Sequence, residues 1–157
     1  MKNQEFKGKV VLITGSSRGI GKATAIAMSN LGASLVINGR DKERLIQVEN
    51  LIKNSGGKVM SYCCDITNPD QVEKLIEETI KTYGKLDILI NNAGNAHGSD
   101  PIQTGNLDDW DAMIDINVKG LLYVSKAIIP GMTERQSGHI INIGSSAGSE
   151  VYPKGNV

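Results

Sequence analysis

The sequence predicts an α/β fold, an open and doubly wound parallel sheet of about five strands with helices on both faces. Two observations support this prediction. Short runs of apolar, β-branched residues alternate along the chain with longer segments whose apolar residues recur at helical spacing. The strand runs are almost continuously apolar, which is typical of parallel strands that are covered on both faces.

Five segments are predicted as strands, and right-handed crossovers favour the order 3-2-1-4-5. They are KVVLIT at 9–14, SLVIN at 34–38, KVMSYC at 58–63, LDILIN at 86–91 and HIINIG at 139–144. No repeat, linker or low-complexity tract divides the chain. Residues 1–157 are therefore predicted to form a single domain.

The helices are marked by apolar stripes and by residues typical of helix ends. Asn68 is the predicted N-cap of the third helix, Pro69 lies in its first turn, and Gln71 is placed to complete a capping box. Asp41 is the predicted N-cap of the second helix. The predicted stop residues are Gly32, Gly56 and Gly84. The clearest stripes are Val72, Leu75, Ile76, Thr79, Ile80 and Tyr83, and then Val118, Leu121, Leu122, Ser125, Ile128, Ile129 and Met132.

Charge and composition narrow the classes of partner. Lys plus Arg and Asp plus Glu each number 17, so the zero net charge gives no basic footprint for nucleic acid or for an acidic membrane surface. No apolar run approaches the roughly 18 residues of a membrane span, and no signal region follows the polar start. We therefore expect a cytoplasmic protein. Cys63 and Cys64 are expected to be reduced thiols at a strand end, without a disulfide or a metal site.

The first predicted strand leads into a glycine-rich loop, TGSSRGIG at 14–21, which opens the first helix. Gly15 permits the tight turn, Gly19 lets the backbone approach a phosphate, and Gly21 lets the helix pack on the sheet. A loop in this position presents backbone N–H groups at the positive end of a helix dipole. A turn without a ligand is the alternative, but the strand-to-helix context favours a dinucleotide. The predicted contacts are Gly15, Ser17, Arg18, Gly19, Ile20 and Gly21.

The spacing of these glycines resembles the TGxxxGxG fingerprint of the classical short-chain dehydrogenases/reductases. Further segments match that family in order: DI at 65–66, NNAG at 91–94, DINVKG at 115–120 and INIGSSAG at 141–148. The resemblance covers the whole chain and implies a Rossmann domain that binds a dinucleotide. It also implies that the C-terminal part of the family fold is missing, so that residues 1–157 form an incomplete domain.

The resemblance assigns roles to several further residues. Asp65 is expected to accept a hydrogen bond from the adenine amino group, with a solvated turn aspartate as the alternative. Asn117 is expected to interrupt its helix and to hold a water in a proton relay. One asparagine of the NNAG segment is expected to tie neighbouring strands together. The cofactor contacts implied outside the glycine loop are Asp65, Ile66, Asn92, Ala93 and Gly94.

The end of the second strand bears on the choice between NADP and NAD. An acidic residue there accepts from both ribose hydroxyls, whereas a basic residue pairs with a 2′-phosphate. Asn38 and Gly39 carry no carboxylate, and Arg40 follows at once. Arg18 in the glycine loop would converge on the same phosphate, where two guanidiniums can form charge-assisted bonds. NADP is therefore the predicted cofactor and NAD the less favoured one. Asp41 argues against this prediction, because an acidic residue near the end of the second strand favours NAD.

Family members transfer a hydride between the cofactor and a carbonyl or alcohol, with serine, tyrosine and lysine at the site. Ser145 is the predicted serine in preference to Ser146, because the family's thirteen-residue spacing then places the tyrosine just after Val157. No tyrosine of this chain has a lysine four positions later, and Tyr152 is read as a loop residue. The parent protein is thus predicted to be an NADP-dependent oxidoreductase, and the isolated chain to be inactive.

The resemblance also has implications for substrate and assembly. Segments 130–139 and 138–148 look most like NADP-dependent dehydrogenases of short 3-hydroxy acids and related hydroxy amino acids. A 3-ketoacyl-carrier-protein reductase and a general ketoreductase are the alternatives. A non-catalytic nucleotide-binding domain is the alternative from a different class. The expected partner is a small carbonyl or alcohol compound, with no nucleic acid and no membrane. The full-length parent is expected to form homo-oligomers, and the uncovered stripe between Val118 and Met132 is expected to make the isolated chain associate.

Overall fold

A computed structural model describes residues 4–148 of the chain, which contain one sheet of five parallel strands. The strand order is β3-β2-β1-β4-β5, as predicted. Three of the predicted segments extend one or two residues beyond the observed strands, and the second ends one residue too early. The strands are β1 (Val10–Ile13), β2 (Ser34–Gly39), β3 (Lys58–Cys63), β4 (Ile88–Asn91) and β5 (His139–Asn142).

Residues 4–148 contain five α-helices, and four of them contribute to the clusters that cover the two faces of the sheet. A π-helical turn, Asp115–Gly120, joins the fourth helix to the fifth, and short 3₁₀ turns lie at Ile102–Thr104 and Ser146–Gly148. The helices are α1 (Gly19–Asn30), α2 (Lys42–Asn54), α3 (Pro69–Tyr83), α4 (Leu107–Ile114) and α5 (Leu121–Glu134). Within residues 4–148, no helix combines the length and the hydropathy that a membrane span requires.

Alternate residues of each strand point to opposite faces, so the core consists of two clusters. Leu12 of β1 packs in the cluster that contains Leu75 of α3 and Val124 of α5. Its neighbour Ile13 packs in the cluster that contains Leu45 of α2 and Ala25 of α1. The near-continuous apolar strands predicted from the sequence follow from this double covering.

The helix ends mostly follow the prediction. Asn68 accepts a hydrogen bond from the Gln71 N–H at 3.1 Å, and Asp41 caps α2. The predicted capping box is wrong in its second half, because Gln71 Oε1 accepts from the Asp65 N–H at 2.9 Å instead of reaching Asn68. Gln71 thereby fastens the turn after β3 to α3. The predicted stops Gly32, Gly56 and Gly84 have φ angles of +91°, +81° and +78°.

The predicted apolar stripe of α5 is too broad. Ile128 and Met132 are buried, but Leu122 is 55% exposed and Ile129 is 46% exposed. The fully buried Val124 was not part of the predicted stripe. The stripe covers two sides of the helix, and only one of them faces the sheet within residues 4–148.

Candidate functional site

A cavity of about 710 Å³ opens at the carboxyl ends of β1 to β4, next to the point where the strand order reverses. Ligands of open α/β sheets bind at this position. Eleven of the twelve predicted cofactor contacts line the cavity, and Gly21 is the exception. The lining residues are Gly15, Ser17, Arg18, Gly19, Ile20, Asn38, Gly39, Arg40, Asp41, Arg44, Cys64, Asp65, Ile66, Asn92, Ala93, Gly94 and Ile116.

The glycine loop passes very close to the segment that follows β4. A Cβ on Gly15 would lie 2.7 Å from Ala93 Cα, and the φ of Gly15 is +63°. A Cβ on Gly21 would lie 2.5 Å from the Gly15 carbonyl oxygen. Gly21 therefore lies behind the loop, and its close packing agrees with the helix-packing role predicted for it.

Thr14 and Asn92 hold the glycine loop against β4. Thr14 Oγ1 accepts hydrogen bonds from the N–H groups of Asn92 and Ala93, each at 3.0 Å. The Asn92 amide donates in return to the carbonyl oxygens of Thr14, at 2.9 Å, and of Gly15, at 3.1 Å. Thr14 was not among the predicted site residues, although it opens the TGxxxGxG fingerprint.

The N-terminus of α1 differs from those of α2, α3 and α4. Arg18 occupies the N-cap position without a side-chain hydrogen bond to the first turn. Asp41, Asn68 and Asn106 cap α2, α3 and α4 with their side chains. Because Gly19 begins α1 and lines the cavity, the first-turn N–H groups lie where an external anion can accept from them.

The end of β2 is polar but uncharged, as the sequence predicts. The buried Asn38 amide donates to the carbonyl oxygens of Tyr62 and Cys64, both at 3.2 Å, and therefore ties β2 to β3. Burial raises the pKa of the Cys64 thiol to about 11, so the thiol is protonated near neutral pH. Cys63 and Cys64 are free cysteines, the first exposed and the second buried.

Three arginines and two carboxylates line the cavity near this strand end. Arg40 Nη1 lies 3.7 Å from Asp65 Oδ2, and Arg44 Nε lies 3.0 Å from Asp41 Oδ2. Arg18 has no carboxylate partner within the described part of the chain. Arg44 was not predicted as a site residue, although its position three residues after the N-cap Asp41 was a usable signal.

Asp65 has a structural partner as well as a place in the cavity. Its Oδ1 accepts from the N–H and from the hydroxyl of Thr67, both at 2.9 Å. Its Oδ2 faces Arg40. Asp65 therefore has the turn role of the alternative interpretation and also lines the cavity, where the adenine contact stays a prediction.

Asn117 lies within the π-helical turn between α4 and α5. Its Oδ1 accepts from the Asn95 N–H, and its Nδ2 donates to the Asn95 carbonyl oxygen, both at 2.9 Å. The expected interruption of the helix is therefore present, and π-helical turns are frequent at functional sites. Asn117 fastens the loop after β4 but does not itself line the cavity.

Ser145 also lies outside the cavity lining and is exposed. Its Oγ accepts from the Ala147 N–H at 3.2 Å, at the start of the Ser146–Gly148 turn. Asn91 ties β4 to β5 through a 2.9 Å bond from its Nδ2 to Asn142 Oδ1, as expected for one asparagine of its segment. Tyr152 falls outside the described residues. Residues 4–148 contain no cluster of three His, Cys, Asp or Glu side chains that could hold a metal ion.

Comparison with known proteins identifies relatives over nearly the whole chain. The sequence profile of the short chain dehydrogenase family matches residues 9–157. An uncharacterised oxidoreductase of Staphylococcus saprophyticus is 42% identical over 96% of this chain and 64% of its own length. The chain thus spans less than two thirds of the length of this curated relative.

Solved structures with the same fold include complexes with both nicotinamide cofactors. A metagenomic short-chain oxidoreductase in complex with NADP is 37% identical, with a TM-score of 0.91 over 97% of this chain and 69% of that one. NAD⁺-bound xylitol dehydrogenase is 33% identical, with a TM-score of 0.92 over 96% and 58%. Serine dehydrogenase from Escherichia coli is 38% identical, with a TM-score of 0.88 over 94% and 67%.

Proposed function

The chain belongs to the short-chain dehydrogenase family, and on that premise we propose that it forms the cofactor-binding portion of an NADP-dependent oxidoreductase. The proposed reaction is the transfer of a hydride between NADP(H) and a small carbonyl or secondary alcohol compound. The observation that carries the proposal is the cavity, in which a glycine loop, an uncapped helix N-terminus and three arginines meet.

The residues present fit a phosphorylated dinucleotide. The close approach of Gly15 to Ala93 leaves no room for a side chain at position 15, and the first turn of α1 has no side-chain cap. Both features suit a pyrophosphate, whose oxygens accept from backbone N–H groups. A bound NADP would supply the hydride donor or acceptor. The proposed pyrophosphate contacts are Gly15, Ser17, Gly19 and Ile20, with Gly21 shaping the loop from behind.

The remaining contacts follow from the positions of the side chains around the cavity. Asp65 and Ile66 are proposed to bind the adenine, and Asn92, Ala93 and Gly94 to contact the neighbouring ribose. Arg18 and Arg40 are proposed to bind the 2′-phosphate, because both line the cavity and β2 ends without a carboxylate. The preference for NADP over NAD rests on these two arginines.

Ser145 and Asn117 are the proposed catalytic residues of the parent protein. Because Ser145 Oγ accepts from the Ala147 N–H, its own proton can point toward a substrate oxygen. Asn117 is proposed to position a water through its two hydrogen bonds with the Asn95 backbone. Residues 1–157 contain no tyrosine with a lysine four positions later, so the 157-residue chain is proposed to bind the cofactor without turnover.

The proposed substrate class is a short 3-hydroxy acid or a related hydroxy amino acid. The 38% identity to serine dehydrogenase supports this class, whereas a 3-ketoacyl-carrier-protein reductase has no such support among the proteins compared above. A homo-oligomer remains the proposed state of the parent protein, with the exposed apolar residues of α5 at the interface.

Calorimetric titration of the 157-residue chain with NADP and with NAD tests the cofactor assignment. We expect both to bind and NADP to bind more tightly. Equal affinities or a preference for NAD would refute the role of Arg18 and Arg40. Gly15→Val is the matched negative control, because its side chain would collide with Ala93 at the mouth of the site. Absence of binding to the unmodified chain would refute the nucleotide site itself.

A further inference from the structure

We propose that Arg44 is a specificity-determining positioning residue that favours a 2′-phosphorylated nucleotide by neutralising the carboxylate of Asp41. The proposal rests on the proposed NADP site and deepens it. It concerns a side chain that the glycine fingerprint and the end of β2 do not identify. Arg44 lines the same cavity as Arg18 and Arg40.

Asp41 is the acidic side chain closest in sequence to the end of β2, and it lines the cavity. An unpaired carboxylate at this place would repel a phosphate on the adenosine ribose. Asp41 Oδ1 accepts from the Arg44 N–H at 3.0 Å, and Asp41 Oδ2 lies 3.0 Å from Arg44 Nε. Both carboxylate oxygens are therefore bonded to one residue, the third residue of the helix that Asp41 caps.

The charges that line the cavity show what this pairing changes. Arg18, Arg40 and Arg44 oppose two carboxylates, and each carboxylate lies next to an arginine of the same cavity. Arg40 lies 3.7 Å from Asp65, so part of its positive charge is offset by that carboxylate. Without Arg44, positive and negative groups would be equal in number and Asp41 would be unpaired. A phosphate of nearly two negative charges near neutral pH would then meet no net positive charge.

A purely structural role for Arg44 predicts different behaviour. Exposed ion pairs within a helix contribute little to folding stability, and both partners of this pair are about half exposed. Loss of such a contact would change the binding of all nucleotides equally. The proposed role instead changes the ratio of affinities for nucleotides that differ only in the 2′-phosphate.

The test measures binding of adenosine 2′,5′-bisphosphate and of adenosine 5′-monophosphate to the 157-residue chain. We expect Arg44→Gln to weaken the bisphosphate about fivefold at low ionic strength and to change the monophosphate by less than about twofold. The double variant Asp41→Asn with Arg44→Gln is expected to regain most of the bisphosphate affinity. Asparagine removes the repelling charge and is itself a good N-cap, so α2 is preserved.

Lys42→Gln is the matched control, since Lys42 is an exposed cation of the same helical turn and does not line the cavity. Equal losses in Lys42→Gln and Arg44→Gln would overturn the proposal, because a general field effect would then explain them. A loss that persists in the double variant would also overturn it. If the unmodified chain binds neither probe, the NADP site fails and this proposal fails with it. If both probes bind and Arg44→Gln has no effect, only this proposal fails.

Discussion

Asn92 clamps the glycine loop against the end of β4, so loss of its side chain should lower both the stability of the fold and the affinity for NADP. Asn92→Ala removes two hydrogen bonds, to the carbonyl oxygens of Thr14 and Gly15, and leaves the bonds from the backbone N–H groups to Thr14 Oγ1 in place. At about 1 kcal/mol for each lost bond, we expect the free energy of unfolding to fall by about 2 kcal/mol. For a chain of this size, that loss lowers Tm by roughly 4–8 °C.

Thermal and urea unfolding of the 157-residue chain measures the stability loss, and titration with NADP measures its consequence for the site. Because Gly15 lines the cavity, we also expect weaker binding. Asn50→Ala is the matched control, since Asn50 is exposed on α2 and away from the cavity. Unchanged stability and unchanged NADP affinity in Asn92→Ala would refute the idea that Asn92 clamps the loop.

Three further predictions concern acid stability, loop packing and association. Asp87 is buried and its pKa is lowered, because the Val10 N–H and Lys85 outweigh the opposing effect of burial. The stability that the ionised carboxylate contributes is complete above about pH 4 and is lost as pH falls through the lowered pKa. Denaturation from pH 7 to pH 3 should therefore show a shallower loss of stability for Asp87→Asn, and parallel curves would contradict this. Gly21→Ala would place a Cβ 2.5 Å from the Gly15 carbonyl oxygen, so we expect a lower melting temperature and weaker NADP binding, whereas wild-type values for both would disprove the packing role. Sedimentation velocity should show association of the 157-residue chain that Leu122→Lys reduces, and a monodisperse unmodified chain would count against an exposed apolar interface.

The cavity combines a backbone contribution with a side-chain contribution. The glycine loop and the first turn of α1 offer N–H donors whose positions depend on the fold, since Thr14 and Asn92 connect the ends of β1 and β4. The arginines of the loop and of the β2 end supply the charge. The first contribution suits any dinucleotide phosphate, whereas the second can distinguish one dinucleotide from another.

Local patterns in the sequence were sufficient for the architecture. The strands, to within two residues at their ends, the strand order and the helix-ending glycines were predicted correctly, because apolar periodicity and the need for a positive φ are properties of short stretches of chain. The glycine fingerprint and the segments after β2, β3 and β4 likewise identified eleven residues that line one cavity. Parallel strands bring their carboxyl ends to a common edge, so these residues converge once the topology is known.

The tertiary structure alone decided how individual polar side chains are used. Gln71 bonds to Asp65 rather than completing the predicted capping box, and Arg44 faces the cavity while pairing with Asp41. It also decided which side of the α5 stripe is buried, with Val124 inside and Leu122 exposed. A local sequence pattern lists the hydrogen-bond donors, acceptors and apolar side chains that are available. Which partner each one finds depends on the distances between elements that are far apart in the chain, and packing of the helices on the sheet sets those distances.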